Sequence, residues 1–183
     1  TAIDSVTRSY DELLAGQVRS SQSSFSSFDT YATQAAQIDN MLSDKKTGLT
    51  VSLQNFINAY QTVANSPSTT AQRQALLSQA NGISQQMQNY NAQLQTYAGG
   101  IEQGIGSAIT QINTLTDGIA KLNQQIASGL ASTGQTPNQL MDQRDQMLDQ
   151  LSQYISVNTA TQADGSMNVY VGTGQPLVIG ATT

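Results

Sequence analysis

The residues most capable of chemistry are the carboxylates Asp142, Asp145 and Asp149, spaced three and four apart, which puts them on one face of a helix where a hard cation could be held. The same spacing describes an ordinary solvated face, and Asp142 near a helix start gains from the helix dipole. Arg144 is the one cation in this stretch of Asp and Gln, and an ion pair from it or from Asp145 to a neighbouring helix would fix the angle of the fourth helix. Gly172-Thr173-Gly174 has the look of a phosphate loop. It lacks a third glycine, a following Lys and a following helix, so it reads as a tight turn before Pro176. The tyrosines Tyr10, Tyr60, Tyr90 and Tyr97 fall at or beside helical core positions, as expected of rings that need an apolar body and a wet hydroxyl.

The chain contains no Cys and no His, which removes thiolate nucleophiles, imidazole bases and the commonest transition-metal ligands together. Glu12 and Glu102 are the only glutamates, and the aspartates fall mostly at caps, turns and exposed faces, so a facing carboxylate pair of the glycosidase kind is not expected. The chain reads as a non-enzyme without cofactor or metal. Its 183 residues carry a net charge of −5 with seven scattered Lys and Arg, a field that repels phosphate backbones and anionic lipid. No nucleic acid and no membrane are expected as partners, and no apolar run approaches the ~18 residues of a membrane span. Hydrophobic residues make up 38% and charged ones only 10%, a composition that fits a folded, polar-coated protein better than a disordered one.

The elements that carry these residues follow from periodicity. Tyr10, Leu14, Val18, Phe25, Phe28, Ala32, Ala35 and Leu42 step by threes and fours, with Ser21 and Ile38 or Asp39 filling the register. They predict a helix over 4–42, with Asp4 as N-cap and Ile3 as staple residue. Leu49, Leu53, Phe56, Ile57, Tyr60 and Val63 predict a second helix over 49–64, stopped before Pro67. From Leu76 to Ile126 apolar residues recur in nearly unbroken three-four spacing and predict a third helix over 70–128. Gly99-Gly100, with Gly104 and Gly106, offers a competing hairpin, because each costs about 1 kcal/mol against Ala in a helix. The apolar phase survives these glycines, which favours the continuous helix.

Thr136, Pro137 and Gln139 have the form of N-cap, N1 and N3 of a capping box opening a fourth helix over 137–154. Beyond it the period becomes two. Ile155, Val157 and Thr159, then Met167, Val169 and Val171, alternate around a hairpin signal at Asp164-Gly165, and the stretch from Pro176 to Ile179 offers an edge strand. The fold class is therefore mainly α, an elongated bundle of long antiparallel helices over 1–155, followed by a small antiparallel β-hairpin or meander over 156–183 that starts or joins a further domain.

Several of these stretches resemble one family in order and spacing. They include Val6, Arg8, Tyr10, Asp11, Leu14, Gln17 and Arg19, then Ile38-Asp39-Asn40-Met41-Leu42-Ser43-Asp44, then Gly48-Leu49-Thr50 through Arg73-Gln74-Ala75-Leu76-Leu77. More specific are two further stretches. The first runs through Thr136, Pro137, Asn138, Leu140, Asp142, Arg144, Asp145 and Leu148, and the second is Gly174-Gln175-Pro176-Leu177-Val178. Together they resemble the family of the first flagellar hook-associated protein, which forms the hook-filament junction. Gln139 in place of an acidic residue, Met141 and Met147 in place of Leu, and Ile57 in place of an aromatic are mild departures.

The resemblance implies a central piece of an extracellular flagellar protein, exported by the flagellar apparatus. It implies the hook protein, the filament-side hook-associated protein and copies of itself in a ring as partners, with an export chaperone at a carboxyl-terminal segment beyond this piece. The isolated piece is expected to be a monomer, its seams satisfied within the chain. An alternative is a sensory or receptor-type bundle that binds a small molecule between helices. The change of period after Tyr154 separates the two, since a plain receptor bundle needs no β-hairpin.

Overall fold

The computed structural model describes residues 11–43 and 48–183. Four helices are followed by a three-stranded sheet: α1 Glu12–Leu42, α2 Leu49–Asn65, α3 Thr70–Thr133, α4 Asn138–Leu151, then β1 Val157–Thr161, β2 Met167–Val171 and β3 Gln175–Val178. The strands are antiparallel in the order β1-β2-β3. The chain is mainly α with a small antiparallel meander, in agreement with the fold class read from the sequence.

α3 runs unbroken through Gly99-Gly100, so the competing hairpin does not form. α1 is capped by Asp11, whose carboxylate accepts the N–H of Leu14 at 3.0 Å. The expected cap at Asp4, the staple residue Ile3 and the first seam residue Tyr10 lie outside the described residues. The capping box expected at Thr136 is not made. Pro137 holds the N-cap position, with φ −79° and ψ 75° and no side-chain hydrogen bond. Its carbonyl, not that of Thr136, accepts the first helical N–H groups, from Leu140 at 3.0 Å and Met141 at 3.2 Å. The Thr136 carbonyl is turned instead to the N–H of Asn138 at 2.9 Å. The helix thereby begins one residue later than the capping pattern predicts.

The hairpin also differs in detail from a two-residue turn. Gln162 donates to the Ser166 carbonyl at 2.8 Å, and within that frame Gly165 donates to the Gln162 carbonyl at 3.0 Å with φ at +79°. Gly165 is thus the left-handed residue that follows a turn, the arrangement of a longer hairpin loop with a glycine bulge. Asp164 accepts both the hydroxyl and the backbone N–H of Ser166, at 2.6 Å and 2.9 Å. These bonds, the hydroxyl's first, hold its carboxyl below the usual carboxylate range.

Two compact units make up the chain, one of Thr1–Thr30 with Ile105–Thr183 and one of Tyr31–Gly104. The first holds the core: Leu115, Ile119 and Ala120 of α3, Leu148 and Leu151 of α4, Val157 of β1, Met167 and Val169 of β2 and Val178 of β3. The alternation of the strands and the three-four spacing of the helices deliver these side chains to one layer between sheet and helices. In the second unit α2 turns Phe56, Ala59 and Val63 partly inward, and α3 turns Leu76, Ala80, Ile83 and Tyr90 the same way. The hydroxyl of Ser52 bonds Gln86, which in turn donates to the Tyr90 hydroxyl at 2.9 Å.

The sequence predicts that the apolar seam of α1 is buried, and here the structure differs. Leu14, Val18, Phe25 and Phe28 are exposed, while the opposite face, with Ala15, Gly16, Arg19, Ser23 and Ser26, is the one turned inward. Small side chains permit close approach, and Arg19 reaches polar partners on α4 and β1 that fix the helix in this phase. The premise that every seam is satisfied within the chain therefore fails for α1. Leu148→Ala is expected to cost about 2 to 5 kcal/mol in chemical denaturation. Phe28→Ala, despite its place in the predicted seam, is expected to stay within about 0.5 kcal/mol of the parent. Equal losses from the two would contradict this assignment of faces.

Candidate functional site

Asn123 is fully buried on α3, one turn after Ile119 and one before Ile126, and its side chain makes four hydrogen bonds. Its side-chain amine donates to the carbonyls of Met167 at 2.8 Å and Gly180 at 2.7 Å. Its side-chain oxygen accepts the Met167 N–H at 3.1 Å and Arg144 Nη1 at 3.1 Å. An amide offers two donors and two acceptor lone pairs, and all four are used. β3 pairs with β2 only as far as Val169 and Val178, and beyond that point the Asn123 amide takes up both peptide groups of Met167 in place of a strand.

Arg144, also fully buried, rises from α4 to the same place and donates from the same nitrogen to the Gly165 carbonyl at 2.7 Å. Gly165 is there because nothing else fits. Its φ of +79° disfavours a side chain, and a Cβ would lie 3.1 Å from Ile126 Cγ2. One amide and one guanidinium thus join α3, α4, the hairpin loop and the turn after β3. A second arginine, Arg19, 2% exposed, does the same for α1: Nη2 donates to the Thr159 hydroxyl at 3.4 Å, and Nη1 lies 3.8 Å from the Asp149 carboxylate.

The motif residues do not form one site. Arg144, Asp145 and Leu148 are buried, Pro137, Asn138 and Leu140 are half-buried, and Thr136 and Asp142 are exposed. Gly174, Gln175 and Pro176 are exposed at the turn into β3. That turn lies at the opposite end of β2 from Gly165, about 17 Å away for a five-residue strand. The acidic trio is likewise divided, with Asp145 turned inward and Asp149 63% exposed beside Arg19. Among the described residues no cluster of three His, Cys, Asp or Glu could hold a metal ion, and no helix is long and apolar enough to cross a membrane. The buried arginines and Asn123 fix these elements against each other.

Asn123 went unread in the sequence, and Arg19 stood there only among the residues of the family resemblance, with no role. The signal for Asn123 is a polar residue in the apolar phase, four after Ile119 and three before Ile126, which is where a buried amide with several partners belongs.

A model of the flagellar hook-associated protein FlgK helical domain matches residues 35–183. The chain belongs to the FlgK family. It is 35% identical over 182 residues to flagellar hook-associated protein 1 of Salmonella typhimurium and 33% identical over the same length to that of Escherichia coli K12. In both cases 98% of the chain is covered but only 33% of the relative, so this FlgK chain spans about a third of their length. The flagellar hook junction protein FlgK of Burkholderia pseudomallei superposes with a TM-score of 0.81 at 34% identity, over 91% of this chain and 29% of that one.

Replacing Asn123 by Ala orphans several buried groups at once, each worth roughly 1 to 3 kcal/mol, so Asn123→Ala is expected to cost at least about 3 kcal/mol in urea unfolding. Arg144→Ala is expected to cost about 1 to 3 kcal/mol. A loss below ~0.3 kcal/mol for either would mean that water or neighbours replace these bonds in full.

Proposed function

We propose that this chain is the helical section of a structural junction adaptor between the hook and the filament of a bacterial flagellum, and that it has no enzymatic role. The observation that carries this reading is the match, along 98% of the chain, to flagellar hook-associated proteins. The internal chemistry supports it. Asn123 and Arg144 are spent on holding helices and sheet together, and the composition includes neither Cys nor His.

On this reading the partners are the hook protein on one side, a filament-side hook-associated protein on the other, and copies of the same protein around a ring. An export chaperone engages the carboxyl-terminal part of the full-length protein, and the assembled protein is extracellular. The motif from Thr136 to Leu148 acts as an internal brace, and the stretch over 156–183 leads into a further domain of a protein as long as its relatives. The receptor alternative has no observation in its favour.

For the isolated chain the monomer reading rests on its charge of −5 and its short strands, with the exposed α1 seam as the opposing term. Sedimentation equilibrium is expected to give a mass near 19.4 kDa. A stable dimer that Phe25→Ser dissolves would show that the seam pairs by itself. The function is tested in cells by deleting the whole gene. Hooks without filaments, restored by the full-length gene, are expected, and normal filaments on the deletion strain would overturn the proposal.

A further inference from the structure

We infer that residues 99–106 of α3 are a built-in melting point, a place where the helix opens so that the Tyr31–Gly104 unit can unfold and refold while the core of the other unit stays intact. This goes beyond the junction reading and does not depend on it. Gly99, Gly100, Gly104 and Gly106 all lie within α3, and a Cβ on any of them would meet nothing within 4 Å. None has a positive φ. Neither close packing nor backbone conformation therefore calls for glycine at these positions. Gly118 on the same helix is the contrast, because a Cβ there would meet Met147 Sδ at 2.8 Å. What the four have in common is a weakened helix, each lowering the helical equilibrium about five-fold relative to Ala.

Their position gives that weakness an effect. A helical segment is held by propensity or by tertiary packing, and in proteins mostly by packing. The buried side chains of α3 begin at Leu115 and continue through Ile126. Among the described residues no side chain of the Tyr31–Gly104 unit is buried, and Ile105, the apolar residue between the last two glycines, is 56% exposed. The boundary between the two units falls at Gly104 and Ile105, inside the glycine cluster. Low propensity and the lack of any fully buried side chain thus coincide at the boundary, and unfolding that starts in the less buried unit loses there the coupling that α3 carries to the core.

Hydrogen exchange of the full 183-residue chain, read by mass spectrometry as protection factors, tests this. Residues 70–106 are expected to be protected about a hundred-fold less than residues 112–128, with the step falling at 99–106. Replacing all four glycines by Ala is expected to raise protection across 99–106 by about a hundred-fold, to near that of 112–128, while leaving 112–128 unchanged. Gly82→Ala, a helical glycine with equally open space but away from the boundary, serves as the control and is expected to leave the position of the step where it was. Uniform protection along α3, or a quadruple variant with unchanged exchange at 99–106, would overturn the inference.

Discussion

Asn123 makes four hydrogen bonds in a place closed to solvent, and each connects α3 to something that arrives later in the chain. A three-stranded sheet of short strands has little stability by itself. Here it is held in two ways. The inward faces of β1, β2 and β3 supply half of an apolar core, and the amide continues the hydrogen-bond ladder where β3 stops. Arg144 then ties α4 to the hairpin loop through the Gly165 carbonyl and to α3 through the Asn123 amide oxygen. Partial versions of such a network are costly, since any buried group left without its bond loses the full value of its desolvation. The complete set is therefore a strong constraint on how α3, α4 and the sheet meet.

The distribution of burial sets the character of the molecule. Among the described residues the eleven buried apolar side chains lie between Leu115 and Val178. Elsewhere the helices display Gln, Ser and Asn with apolar side chains between them, and α1 shows solvent the face that its sequence would hide. A row of exposed Phe and Leu is unusual for a chain that acts alone, and this chain spans about a third of the length of the relatives it matches. Arg19 explains how α1 can tolerate this orientation. Its guanidinium needs the Thr159 hydroxyl and the Asp149 carboxylate, and burying it with those partners turns Phe25 and Phe28 outward.

Long-range periodicity made most of the fold legible. The apolar steps of α3 carried the helix correctly through Gly99-Gly100, because a phase preserved over many turns outweighs a few kcal/mol of propensity. The change of period after Tyr154 located the sheet. What could not be read was which of two faces a helix turns inward. For α1 that choice depends on Arg19 meeting residues some 130 to 140 positions away, and no local pattern contains that information. The brace was half legible for the same reason. Arg144 stood out as a lone cation among Asp and Gln, but its partner Asn123 looked like one more polar residue in a Gln-rich helix. At the start of α4, local rules misplaced the cap by one residue, because Pro137 itself occupies the N-cap position.

The central claim is that Asn123 and Arg144 act as one unit that joins helices to sheet, and a double-mutant cycle measures that directly. Urea unfolding of the parent, Asn123→Ala, Arg144→Ala and the double variant gives their coupling energy. The account predicts that the double variant loses substantially less than the sum of the two single losses, with a coupling of about 1 to 3 kcal/mol. Additive losses within about 0.3 kcal/mol would contradict it.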